Sequence, residues 1–192
     1  MSTIRLADLD IPAHLTENDE TFAPTMTTYS NGSRFAPIAV PTPAIQLPSM
    51  TAPFGVSCMN AKWTLTLNVT DPAVAAKLGE IDAWAQRMIA ANPLWTAGRP
   101  AVYSPLLKPP RGAYAPTLTL KLRFDDAANP LFAYADGPLV KGAYVRGSFV
   151  AIAEVTGIWM VTGRIGVTFR LEALKAVAAT PKVAPVPQFL ED

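Results

Sequence analysis

Residues 141–177, KGAYVRGSFVAIAEVTGIWMVTGRIGVTFRLEALKAV, decide the fold. Apolar and polar side chains alternate through them with the period of half-buried strands. They read as three strands, at about 141–154, 157–162 and 164–177. Thr162-Gly163 is the expected hairpin turn, and Gly142, Gly147 and Gly157 mark the bulges or bends that a tightly curved sheet needs.

Working back from this stretch, TLTLKLRF (117–124) places Leu118, Leu120, Leu122 and Phe124 on one face and Thr117, Thr119, Lys121 and Arg123 on the other. The proline-broken loop YSPLLKPPRGAYAP precedes it. AKWTLTLNV (61–69) alternates Trp63, Leu65, Leu67 and Val69 with Lys62, Thr64, Thr66 and Asn68, another strand. Between these two strands lies one helix over 72–91: Asp71 is its N-cap, Pro72 its first residue, and Asn92-Pro93 its stop. Val74, Leu78, Ile81, Ala85 and Met88 form its apolar stripe, and Trp84 and Met88 read as core. Lys77 and Arg87 balance Glu80 and Asp82, so the helix is nearly neutral. The expected fold is mainly β: a curved sheet or small barrel of about five strands, residues 53–177, with one inserted α-helix.

Two irregular segments flank that body. Residues 1–52 are rich in proline and threonine without a sustained period and read as a long extended arm, able to wrap the body through Ile38, Val40, Ile45 and Leu47. Asn31-Gly32 marks a turn in it. Residues 178–192 read as a proline-rich spacer and flexible tail ending in Phe189, Leu190, Glu191 and Asp192.

A chain of 192 residues suits one domain. Half of it is hydrophobic and 16% is charged, which excludes wholesale disorder, while 19 prolines predict long loops. The formal charge of +1 hides an asymmetry: residues 1–30 carry −4 and residues 99–175 carry +5. An acidic arm on a basic body points to an anionic partner for the body; ordinary scatter of surface charge is the plainer alternative. The single cysteine, Cys58, excludes an internal disulfide and a cysteine-built zinc site and fits a reducing, intracellular compartment. Neither a secretory leader nor a run of about 20 apolar residues is visible, so no membrane partner is expected.

Enzyme signatures are missing. His14, the one histidine, falls in the acidic arm near Glu17, Asp19 and Glu20, where a solvated side chain is the better reading than a catalytic or metal-bound one. No phosphate-cradling Gly-rich loop, dinucleotide fingerprint or nucleophile elbow occurs. Asp125-Asp126 is too small a cluster for a cation site and reads as a loop opening. A non-enzymatic protein without cofactor or metal is expected.

What the body does offer is cations interleaved with rings. Tyr103, Lys108, Arg111 and Tyr114 lie in the loop before the Lys121 and Arg123 face; Tyr144 and Arg146 share a face with Ser148, and Arg164 and Arg170 share one with Thr168. Single-stranded nucleic acid calls for this mixture: cations follow the phosphates, and unstacked bases lie on flat rings for about 1 to 3 kcal/mol each. Trp159 is a further stacking candidate that fits a barrel core equally well. A duplex is less suited, since no basic helix is present to fill a major groove. The wet face of any sheet would also alternate in this way.

Residues 139–177, with YSPLLKPP before them, resemble the single-stranded-DNA-binding proteins of bacteriophages and large DNA viruses. The resemblance rests on Gly157-Ile158-Trp159, the Thr162-Gly163 turn and Gly166-Val167-Thr168-Phe169, about a third of the chain with the flanking strand. It implies an OB-fold barrel that coats displaced single strands during viral DNA replication or recombination in the host cytoplasm, assembling as a homo-oligomer along the DNA. It also implies that an acidic C-terminal tail, here Phe189 to Asp192, contacts replication proteins; this tail departs from the family form in having only two acids and a phenylalanine away from the end. The competing expectation is a structural or assembly protein of a virion whose N-terminal arm grips neighbours.

Overall fold

The computed structural model describes residues 2–15, 26–38, 42–59, 62–96, 98, 100–110, 112, 114–122, 133–134, 137–138 and 145–177. In chain order the strands are β1 (Thr3–Arg5), β2 (Thr27–Thr28), β3 (Arg34–Pro37), β4 (Ala44–Gln46), β5 (Met50–Thr51), β6 (Val56–Met59), β7 (Lys62–Asn68), β8 (Val102–Tyr103), β9 (Leu107–Lys108), β10 (Thr117–Lys121), β11 (Ala133–Tyr134), β12 (Gly137–Pro138), β13 (Ser148–Val161) and β14 (Arg164–Ala176). Among the described residues two α-helices accompany them, α1 (Ile11–His14) and α2 (Pro72–Ala91).

The molecule is mainly β, as its alternating segments predict, but it is an open mixed sheet of twelve strands rather than a barrel of five. The hairpin of β13 and β14 forms its spine. Of the three strands expected between 141 and 177, the first two are one continuous strand, because Gly157 is absorbed as a bulge instead of breaking the ladder; register shifts fall between Ile152 and Ala153 and between Val155 and Gly157. The turn is where the sequence places it: Val161 pairs with Arg164, and Thr162 and Gly163 have φ of 48° and 73°, the positive pair of a two-residue hairpin loop.

The described part of the expected arm is a portion of the same sheet. β3, β4 and β5 line up along one edge of β13, opposite Gly157–Met160, Ile152–Ala153 and Ser148–Phe149 in turn, and β1 adds in parallel outside β4. Proline cannot donate to a ladder. A segment so rich in it therefore edges a long strand only in short pieces, which gives it no readable period. Ile45 and Leu47 are fully buried and Ile38 packs partly against the core, whereas Val40 is outside the described residues. Leu6, Leu9, Ile11 and Leu15 are also buried.

The other edge of β14 receives β8 beside the turn and β10 further on, the latter continuing antiparallel into β7 and β6. Leu65, Leu67, Leu118 and Leu120 face inward and are completely buried, while Thr64, Thr66, Thr119 and Lys121 face the other way. Helix α2 packs into the apolar side through Val74, Leu78, Ile81, Trp84, Ala85 and Met88. Its N-cap is Asp71, which accepts from the amide of Ala73 at 2.8 Å. Each such large apolar side chain contributes about 1.5–3 kcal/mol on burial, so the sheet and helix hold one continuous core.

Candidate nucleic-acid interface

The polar faces of β7, β10 and β14 meet the segment 104–108 at a cleft of about 170 Å³. Lys108 and Lys121 enter it, Thr64, Ser104, Thr119 and Thr168 supply hydroxyls, and Trp159 forms one wall. No carboxylate lies among its described lining residues. Strand alternation explains half of this set: Lys121 is directly opposite Thr64, and Thr119 opposite Thr66.

Each lysine is held by neutral oxygens. The Lys108 ammonium donates to Ser104 Oγ at 2.7 Å and to the Pro105 carbonyl at 2.9 Å; that of Lys121 reaches Thr168 Oγ1 at 3.3 Å. Loss of water depresses the pKa of both below the ordinary lysine value, and a second cation adds to it in each case, Arg164 beside Lys108 and Lys62 beside Lys121. Asp82 partly offsets the effect at Lys108. Lys62 with Lys121 and Arg164 with Lys108 thus make two pairs of cations, each with one member lining the cleft.

Asp82 is the residue that sequence reasoning missed. It is only 6% exposed on α2. Its Oδ1 accepts from Tyr103 Oη at 2.6 Å, and the Leu106 amide donates to both carboxylate oxygens at 3.1 and 3.0 Å. Burial raises its pKa, against the lowering pull of Tyr103, Leu106 and Lys108. The phenol of Tyr103 is pushed up in turn, by burial first and then by the Asp82 carboxylate. The clamp fixes residues 103–106 against the helix and so sets Ser104 and Lys108 at the cleft. One signal was present: Asp82 follows Leu78 by four and Val74 by eight residues, which puts a carboxylate on the apolar stripe.

The remaining candidates scatter. Tyr103 packs partly against the core with its hydroxyl engaged, an anchor for the loop more than an open ring. Tyr114 is exposed against Phe54, ring centroids 5.3 Å apart, and does not line the cleft. Arg146 is in a turn before β13, with φ of 60° and its amide donating to the Ala52 carbonyl, rather than on a strand face. Arg170 meets Glu154 and Glu172, each at 2.6 Å, so its charge is already offset. Trp159 donates from Nε1 to the Val167 carbonyl at 3.1 Å and is half-buried, beside the cleft and outside the core. Arg111, Arg123, Tyr144, the Asp125-Asp126 pair and the tail residues Phe189, Leu190, Glu191 and Asp192 are outside the described residues.

Gly166 makes the wall possible. A Cβ there would stand 2.7 Å from the Ser104 carbonyl oxygen and 3.0 Å from Trp159 Cζ2, so only glycine lets the ring and the loop close over β14. Among the described residues no group of His, Cys, Asp and Glu is disposed to hold a metal ion, and no helix is long and apolar enough to cross a membrane. His14 is half-buried, its Nδ1 within 2.8 Å of the Asp10 carbonyl oxygen.

No protein-family model, curated protein or solved structure matches the chain.

Proposed function

We propose that this protein is a non-catalytic binder of single-stranded DNA that engages the strand across the β7–β10–β14 face. The observation that carries the reading is the two cation pairs, Lys62 with Lys121 and Arg164 with Lys108, at a cleft that Trp159 helps to line and that has no carboxylate among its described lining residues. Cations gathered on one face suit the phosphates of a flexible strand, and the Trp159 ring at the cleft offers a base somewhere to stack. The nearly neutral α2 gives no element for a major groove. The resemblance of residues 139–177 to viral single-strand binders supports the further proposal that the role is in DNA replication or recombination, with assembly along the strand and the tail from Phe189 to Asp192 as a contact for replication proteins. The assembly-protein alternative has less support, because the described strands of the N-terminal segment are paired within their own sheet.

The test is fluorescence anisotropy of labelled oligothymidine over a range of salt, with an equal length of duplex as competitor. Affinity should fall linearly on a log–log salt plot, since each neutralised phosphate releases counterions, and the duplex should compete poorly. Absence of binding at low salt would refute the reading.

A further inference from the structure

We propose that the cleft is a seat for one phosphate group, gripped between Lys108 and Lys121, with Asp82 as the positioning residue that holds Lys108 in place. The proposal rests on the strand-binding reading for the source of the phosphate, though the seat itself stands on its own geometry.

An ammonium has three donors. Lys108 spends two on Ser104 and Pro105 and Lys121 one on Thr168, which leaves each with hydrogen-bonding capacity inside the cleft. Lys108 and Lys121 line the same cleft, and each has a further cation nearby, Arg164 for Lys108 and Lys62 for Lys121, whose repulsion opposes its charge. An anion between them removes that cost. The nearby acid does not fill this role: both oxygens of Asp82 accept hydrogen bonds from Tyr103 or Leu106, and Asp82 does not line the cleft. Glu154 and Glu172, the acids of the neighbouring hairpin, are both drawn to Arg170.

The size and donors select the ligand class. At about 170 Å³ the cleft is small beside the roughly 300–1,000 Å³ pockets that enclose whole drug-sized molecules. It suits one group of a polymer. The Thr64 and Thr119 hydroxyls also line it, 2.9 Å from Ser57 Oγ and 3.5 Å from Thr66 Oγ1, and with the two ammoniums they give a donor set suited to an oxyanion of several oxygens. Asp82 matters because Lys108 sits two residues beyond the amide it captures; without the clamp, the loop carrying Ser104 and Lys108 has no tie to α2 at this point.

The test titrates the full-length protein with inorganic phosphate, with thymidine 5′-monophosphate and with oligothymidine, all at constant ionic strength held by chloride. Binding is read by anisotropy and by the amide NMR signals of Thr64, Thr119 and Thr168. Phosphate should shift those three signals and displace oligothymidine beyond the effect of chloride. Lys121→Met and Lys108→Met should each abolish the shifts and lower the salt slope of strand binding by about one. Asp82→Asn should weaken phosphate about tenfold or less through Lys108 while leaving a Lys121 contribution, so that Lys108→Met costs less in that background than in the wild type. Melting curves identify any variant that fails to fold, and the signal shifts of the wild-type protein decide the matter alone in that event. Phosphate without effect on the three signals, together with a normal salt slope for both lysine variants, would overturn the seat even if the strand binds. Phosphate shifts without any strand binding would uphold the seat, with free phosphate or a mononucleotide as its source, and sink the strand reading.

Discussion

A single carboxylate, Asp82, couples the helix to the cation-bearing loop, and its environment makes a pH prediction. Its folded pKa is raised by burial, above the ordinary carboxylate value near 3.9. A raised pKa means that the group's stabilising contribution is complete below the unfolded value and is lost as pH rises through the folded one. Urea unfolding of the wild type and Asp82→Asn should therefore diverge with pH, the wild type losing stability relative to the variant between about pH 4 and the raised value. A difference that stays constant would show that the carboxylate titrates as it does in the unfolded chain. Tyr103→Phe removes the hydroxyl and keeps the ring; it should cost about 1.5–3 kcal/mol, the scale of a hydrogen bond to a charged group, with no change in the salt slope of strand binding. At this scale the sequence is only half legible. Asp82 stands visibly on an apolar stripe, but its partners are 21 and 24 residues away. The charge of Arg170 is likewise offset by Glu154, a cross-strand neighbour whose identity depends on register; alternation alone places Arg170 on a wet face and says nothing of what it meets there.

At the scale of elements, capping and periodicity were sound guides and glycine was the ambiguous one. Helix α2 begins and ends where Asp71, Pro72 and Asn92-Pro93 mark it. Gly157 reads as a break but is a bulge within β13, and its φ of 157° and its neighbours explain the need for glycine: a Cβ would overlap the Ala36 carbonyl oxygen of β3 and the Phe35 ring. Gly157→Ala should lower stability by about 1–3 kcal/mol, the usual cost of overpacking, and should loosen β3 in particular. Hydrogen exchange checks this: the amides that pair β3 with β13 should lose protection before those between β13 and β14. Uniform loss across the hairpin would mean that the bulge serves the whole ladder and not the seating of β3.

For the whole molecule, the described part of residues 1–52 goes beyond wrapping the body and is built into its sheet. It supplies β1 to β5 and buries Leu6, Leu9, Ile45, Leu47 and Met50 against the body. Deleting residues 1–52 should leave the long edge of β13 unpaired and the core open. The truncated chain should show no cooperative thermal transition by circular dichroism and should aggregate. A fragment that melts cooperatively would instead establish 53–192 as an independent domain.

Local chemistry was enough to determine the class of the fold, the span of α2, the hairpin turn and which faces of β7 and β10 are wet, because each follows from the period of a few consecutive side chains and from the backbone preferences of Asp, Pro and Gly. The tertiary structure alone decided the number of strands, the order in which they pair and which cations share a cleft. Lys108 and Lys121 line one cleft because β10 pairs with β9 at one end and with β14 at the other, and such meetings depend on long-range register, which one strand's alternation does not encode.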